Sequence, residues 1–161
     1  MDLNTLLSVA PFDWHSIGAA LACGSIIGLE RQLRGKPVGI RTASLIVLGT
    51  YLFLATAFLL DVEGNAMDPS RVIGQVITGI GFLGAGVMLA RDGAVVGVTS
   101  AAAIWILASL GVMIACDHIL QAIKLSVLVV GILYGLDFLE GHTKTFSRGV
   151  HARFRDYKRP R

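Results

Sequence analysis

Residues Thr42 to Leu60 read TASLIVLGTYLFLATAFLL, nineteen consecutive positions without a charge. As an α-helix rising 1.5 Å per residue this stretch reaches about 28 Å, close to the ~30 Å hydrocarbon core of a bilayer. Four further apolar stretches flank it: Trp14 to Leu29, Val72 to Ala90, Gly97 to Ala115 and Ile119 to Leu139. Their number and length predict an all-α, polytopic transmembrane bundle of about five helices over residues 1–139, followed by a basic tail over residues 140–161. The first stretch is the shortest and needs its flanks, or a thinner local bilayer, to cross. Composition agrees: 54% of the 161 residues are hydrophobic and 16% are charged, where soluble domains carry about 25% charge. A soluble enzyme, a disordered chain and a disulfide scaffold all fit these figures poorly. The two cysteines, Cys23 and Cys116, lack a CxxC spacing and read as small buried hydrophobes. Met1 to Asp13 contains no Lys or Arg, so it does not read as a cleaved signal peptide.

Boundary residues support the segmentation. Asp68-Pro69 fits an N-cap followed by Pro at the first helical position, where a missing N–H costs nothing. Thr42 and Asp117 are expected to cap the second and fifth helices. Gly35-Lys36-Pro37-Val38-Gly39 breaks the chain between helices one and two, and Arg91-Asp92-Gly93 turns it between three and four. Connections this short make sequence neighbours antiparallel. No repeat supports an inverted duplication, and an odd helix count opposes a simple one. Twelve of the fourteen Lys and Arg fall after helices one, three and five, while Asp2, Asp13, Asp61, Glu63, Asp68 and Asp117 collect at the other end. The positive-inside rule then places the N-terminus outside and the C-terminus in the cytoplasm.

In lipid, helices associate through close approach of small residues. Helix one offers Ala20, Gly24 and Gly28. Helix three offers Gly74, Thr78, Gly81 and Ala85 on one stripe, with Gln75, Gly79, Phe82 and Gly86 about 100° round. Helix three is therefore expected to be the central element, packed on two sides, with Gly81→Leu more disruptive than Ile80→Leu. Helix four, rich in Ala and Ser, reads as its close partner. Gly131 and Gly135 form one GxxxG in helix five.

Polar groups at membrane depth are few: Gln75 near one end of helix three, and Lys124, which reads as snorkelling outward. At one surface Glu30, Arg31, Arg41, Arg91 and Asp92 gather, and a Glu30–Arg41 pair is expected to tie helix one to helix two. At the other, Asp61, Glu63, Asp68 and Asp117 are loose loop carboxylates rather than a built magnesium site. Neither a catalytic residue, a metal ligand nor a bound cofactor is expected: the four His have no Ser or Cys at a catalytic spacing. Gly79 to Gly84 reads GxGxxG but follows no strand, so it is a chance match to the dinucleotide fingerprint. The tail, basic with interspersed Phe146, Phe154 and Tyr157, suits anionic lipid better than nucleic acid.

Three runs are more specific than these patterns: GLERQLRGKPVGIRT from Gly28 to Thr42, DPSRV from Asp68 to Val72, and GIGFLGAG from Gly79 to Gly86 continuing to GVTSAA from Gly97 to Ala102 and Trp105. In this order, on these helix ends, they resemble the MgtC/SapB family of bacterial inner-membrane proteins over roughly residues 15 to 115. The resemblance implies a role in magnesium homeostasis and, in pathogens, survival inside host cells. The family's founding branch is thought to act on other membrane proteins, including the F-type ATP synthase, rather than to transport magnesium itself. That branch has a soluble C-terminal domain resembling an ACT fold, so this chain reads as the membrane domain only. The positions of interest carried over are Glu30, Arg31, Arg41, Thr42, Asp68, Arg71, Gln75, Gly79, Gly81, Phe82, Gly84 and Gly86. Residues and resemblance together lead to a non-enzymatic membrane protein that modulates a membrane partner, or alternatively a small homo-oligomeric ion transporter or channel.

Overall fold

The computed structural model describes residues 8–61, 68–91 and 94–142. Among them are five helices, α1 (Trp14–Leu33), α2 (Ile40–Asp61), α3 (Pro69–Val87), α4 (Val98–Ala115) and α5 (Ile119–His142). A two-stranded antiparallel hairpin, β1 (Leu89–Arg91) and β2 (Ala94–Val96), joins α3 to α4. The bundle is all-α as expected. By length and apolarity three of the described helices qualify as membrane spans, Ile40–Leu60, Ser70–Val87 and Val98–Ala115, with Ile119–Gly135 a shorter apolar helix. The described residues up to Val127 form one compact unit; those from Leu128 onward, the latter part of α5, form a second, in which Leu128, Ile132 and Tyr134 are exposed.

Local chemistry sets the helix ends. Asp13, not singled out from the sequence, caps α1 by accepting the Ser16 N–H at 2.9 Å. The hydrogen bonding from Ser16 holds its carboxyl below the ordinary carboxylate value, with His15 contributing less. A lowered folded-state value means that the cap stabilises fully above the ordinary carboxylate range and fades as pH falls through the lowered value. Asp13→Ala is accordingly expected to cost about 1 kcal/mol at neutral pH. Melting curves in detergent across a pH series should show the gap between variant and parent closing in acid.

Helix α1 runs on to Leu33, beyond the expected Leu29, because Glu30 finds cationic partners within the helix. It then closes in a Schellman motif: the Gly35 N–H donates to Gln32 O, the Lys36 N–H donates to Arg31 O, and Gly35 takes the left-handed φ of 62°. The Gln32 side chain reaches across to accept the Ile40 N–H at 3.3 Å. Helix α2 thus begins at Ile40, and Thr42 lies inside its first turn rather than capping it. For α3 the Asp68-Pro69 start holds, with Asp68 accepting the Ser70 N–H at 2.9 Å. Asp117 does not cap α5; with φ 64° it is the left-handed residue that closes α4, where the His118 N–H donates to Met113 O.

Helix α3 stops at Val87, short of the expected Ala90, because Met88 turns extended and the chain pairs Leu89 with Val96 and Arg91 with Ala94. Asp92-Gly93, the two residues between the strands, are the sequence type that two-residue hairpins favour. Gly97 then folds back on the end of α3 at φ 90°, so close that a Cβ would strike Val87 O. Only glycine fits there.

The centre of the packing is α2, not α3. On one side α1 lays Gly24 and Gly28 against it: a Cβ at Gly24 would overlap the Ser44 backbone, and one at Gly28 would lie 2.6 Å from Ile40 Cα. Ser25 and Ser44 share a hydroxyl hydrogen bond of 3.3 Å across this seam. On the other side Gly111 of α4 approaches so closely that a Cβ would sit 2.6 Å from Val47 O and from Thr50 Cβ. The expected stripe on α1 is therefore real, and Gly111, one of the small residues expected to pack helix four on helix three, packs on α2 instead. The two-sided packing expected of α3 is overturned. Only 11% of its span is buried, against 39% for α2 and 50% for α4. An added Cβ at Gly74, Gly79, Gly81 or Gly86 meets nothing within 4 Å, so Gly81→Leu fills no groove inside the chain. Gly84 is the α3 glycine in contact, with Ala101 and Trp105 of α4. Cys23 is buried as expected, whereas Cys116 is exposed at the end of α4.

Candidate functional site

Two features stand out, one at the end of α1 and one between α2 and α3. The first is an ion cluster at the end of α1. Glu30, 7% exposed, receives Arg31 Nε at 2.7 Å and Arg31 Nη2 at 3.1 Å, and its Oε1 also receives Arg34 Nε at 2.8 Å. The expected Glu30–Arg41 tie is not made: the i,i+4 spacing to Arg34 and the adjacency of Arg31 satisfy the carboxylate within one helix, and Arg41 is exposed. Arg31 is 2% exposed, and its Nη1 is buried without a hydrogen-bond partner. Such a donor is costly to bury. The cluster carries one net positive charge.

The second feature is a cleft of about 650 Å³ between α2 and α3. One wall is Thr42, Leu45, Ile46, Gly49, Thr50 and Phe53, spaced as one helix face; the other is Val72, Gln75, Val76, Gly79, Ile80 and Leu83. The walls stay apart because α2 spends its tight contacts on α1 and α4, while α3 leans on α4. Missing side chains at Gly49 and Gly79, where an added Cβ meets nothing within 4 Å, leave the middle open.

The singled-out positions divide among these features. Glu30 and Arg31 form the buried pair; Thr42, Gln75 and Gly79 all line the cleft. Asp68 caps α3, and Arg71 is exposed in its first turn. Gly84 is packed on α4, while Gly81 and Gly86 meet nothing and Phe82 is 81% exposed. Lys124 is exposed, consistent with an outward-reaching side chain. Arg34 and the α2 wall were missed, although the Glu30–Arg34 spacing was visible in the sequence. Of the loose carboxylates, Glu63 lies outside the described residues, as do Asp92 and the tail beyond His142. Among the described residues no three of His, Cys, Asp and Glu gather closely enough to hold a metal ion.

A helical bundle with bilayer-length apolar helices and, among the described residues, a buried ion cluster and a cleft between two such helices defines a polytopic integral membrane protein. Comparison with known proteins narrows the class. The chain belongs to the MgtC family, whose model matches residues 17–142. It is 46% identical over 110 residues to a protein of Escherichia coli K12 named "Putative magnesium transporter YhiD", covering 65% of this chain and 51% of that one. It is 33% identical over 126 residues to "Protein MgtC" of Brucella abortus strain 2308, covering 74% and 52%. With "Protein MgtC" of Salmonella typhimurium strain 14028s it shares 32% over 111 residues, covering 69% and 46%. The chain thus spans about half the length of the curated relatives it matches. No solved structure matches it.

Proposed function

We propose that the chain is a non-enzymatic protein of the bacterial inner membrane, N-terminus outside and C-terminus in the cytoplasm, that serves magnesium homeostasis by acting on a membrane partner. By family resemblance the F-type ATP synthase is the first partner to test, and a link to virulence comes with the same resemblance. The observation that supports the reading is the contrast between two like stripes. On α1, Gly24 and Gly28 are covered by α2; on α3, Gly74, Thr78 and Ala85 are exposed and Gly81 meets no neighbour, on the side turned away from the cleft. Small residues on a lipid-facing helix let a second helix approach closely.

The test is paired. Gly81→Leu is expected to leave the melting temperature within about 2 °C of the parent, since the side chain enters open space, yet to abolish photo-crosslinking from Thr78 to ATP synthase subunits in native membranes. Crosslinking unchanged by Gly81→Leu would refute the stripe. Magnesium flux by the purified chain in sealed vesicles would instead support the alternative, a small oligomeric transporter, for which the name of the Escherichia coli relative speaks.

A further inference from the structure

We infer that the cleft between α2 and α3 holds one acyl chain of an anionic phospholipid, with the phosphate at the Thr42 end beside Arg41. Three observations lead there, and none depends on the partner reading.

Size comes first. From Thr42 to Phe53 the α2 wall advances eleven residues, about 16 Å, which is one leaflet of a ~30 Å core rather than its full depth. A cleft of that length matches one acyl chain, which reaches half-way across the bilayer, rather than a helix that crosses it. A single hydrocarbon chain is the slender apolar object that a bilayer supplies in quantity.

Lining comes second. Leu45, Ile46, Phe53, Val72, Val76, Ile80 and Leu83 give apolar walls, and the polar lining groups are Thr42, Thr50 and Gln75. Thr50 is buried against Gly111. Thr42 and Gln75 stand at opposite ends, so the middle offers an ion or a sugar nothing to bind.

Charge comes third and sets the polarity. Arg41 precedes Thr42, is exposed, and lies about 40° round the helix from Leu45 on the cleft wall. Lys36 is exposed in the same connection, and the Glu30–Arg31–Arg34 cluster adds a net positive charge. At the far end Asp68 and Arg71 offset each other. An anionic phosphate is therefore drawn to the Thr42 end, where the Thr42 hydroxyl can donate to it and Arg41 supplies the charge.

Native mass spectrometry of the full chain, released from nanodiscs of dioleoyl phosphatidylglycerol or dioleoyl phosphatidylcholine, tests the inference. One phosphatidylglycerol is expected to be retained per chain, in preference to phosphatidylcholine. Arg41→Gln should cut that retention about fivefold, the contribution of one basic residue at the surface. Gly79→Phe, and independently Gly49→Leu from the opposite wall, should abolish it while the melting temperature holds, because both side chains enter open space. Gln75→Leu should strengthen retention by making the far end apolar. Equal retention of both lipids, or a bound lipid surviving both filling variants, overturns the inference. So does loss of binding in Gln75→Leu, which would mark a polar ligand, or a dimer that Gly79→Phe dissociates, which would make the cleft an interface between copies.

Discussion

Gly24→Leu is expected to prevent accumulation of the folded bundle, while Gly81→Leu leaves it intact. At Gly24 the first added carbon already overlaps the Ser44 main chain, and Ser44 N would lie 2.6 Å from it. No rotamer relieves a clash with backbone, so α1 and α2 must separate. Separation also undoes the contact four residues on, where Gly28 faces Ile40 Cα, and breaks the Ser25–Ser44 hydrogen bond. In lipid no hydrophobic gain from burying side chains compensates the lost close approach. The cost should exceed the ~1–3 kcal/mol usual for overpacking, with Gly24→Ala inside that range. Yield after detergent extraction, and melting followed by fluorescence-detected size exclusion, read the effect directly. Equal yields and melting temperatures for Gly24→Leu and Gly81→Leu would refute the packing of α1 on α2.

That pair of glycines also marks how far the sequence could be read. Ala20–Gly24–Gly28 and Gly74–Thr78–Gly81–Ala85 are the same kind of signal, since small residues at helical spacing permit a close neighbour without saying whether the neighbour is in the same chain. The first stripe is filled from within and the second is not, so the expectation of a central α3 failed on a question that spacing does not answer. Helix number, the all-α class and the Asp68-Pro69 start were legible because apolar length and capping chemistry are local. The hairpin was half legible: Asp92-Gly93 was read as a turn, but three-residue strands are too short to interrupt an apolar run visibly. In the candidate site, Thr42, Gln75 and Gly79 were singled out one by one, and their place in the lining of one cleft depends on how α2 divides its faces among three neighbours. Membership of the MgtC family was legible in long motif runs, which carry more information than any periodicity.

The ion cluster supports a second large effect, and its direction depends on an asymmetry. Glu30 has two cationic partners, Arg31 and Arg34, whereas the 2%-exposed Arg31 has Glu30 as its ion-pair partner and already leaves Nη1 unpaired. Glu30→Gln removes the anion and leaves a buried guanidinium uncompensated, a change that costs about 3–5 kcal/mol in comparable buried pairs. Arg31→Met removes the buried cation together with its orphaned donor. Glu30 keeps Arg34 at 2.8 Å, and the replacement is apolar and similar in length. Replacing buried ions by well-packed apolar groups is often neutral, so Arg31→Met should lie within about 1 kcal/mol of the parent, far above Glu30→Gln. The double variant Glu30→Gln/Arg31→Met should recover most of the loss, because it no longer buries an unpaired charge. Melting temperatures of the four proteins in one detergent complete the cycle. If Arg31→Met proves as damaging as Glu30→Gln and the double variant recovers nothing, the pair is not the source of the cost, and Arg31 is held instead by contacts of its hydrocarbon stem.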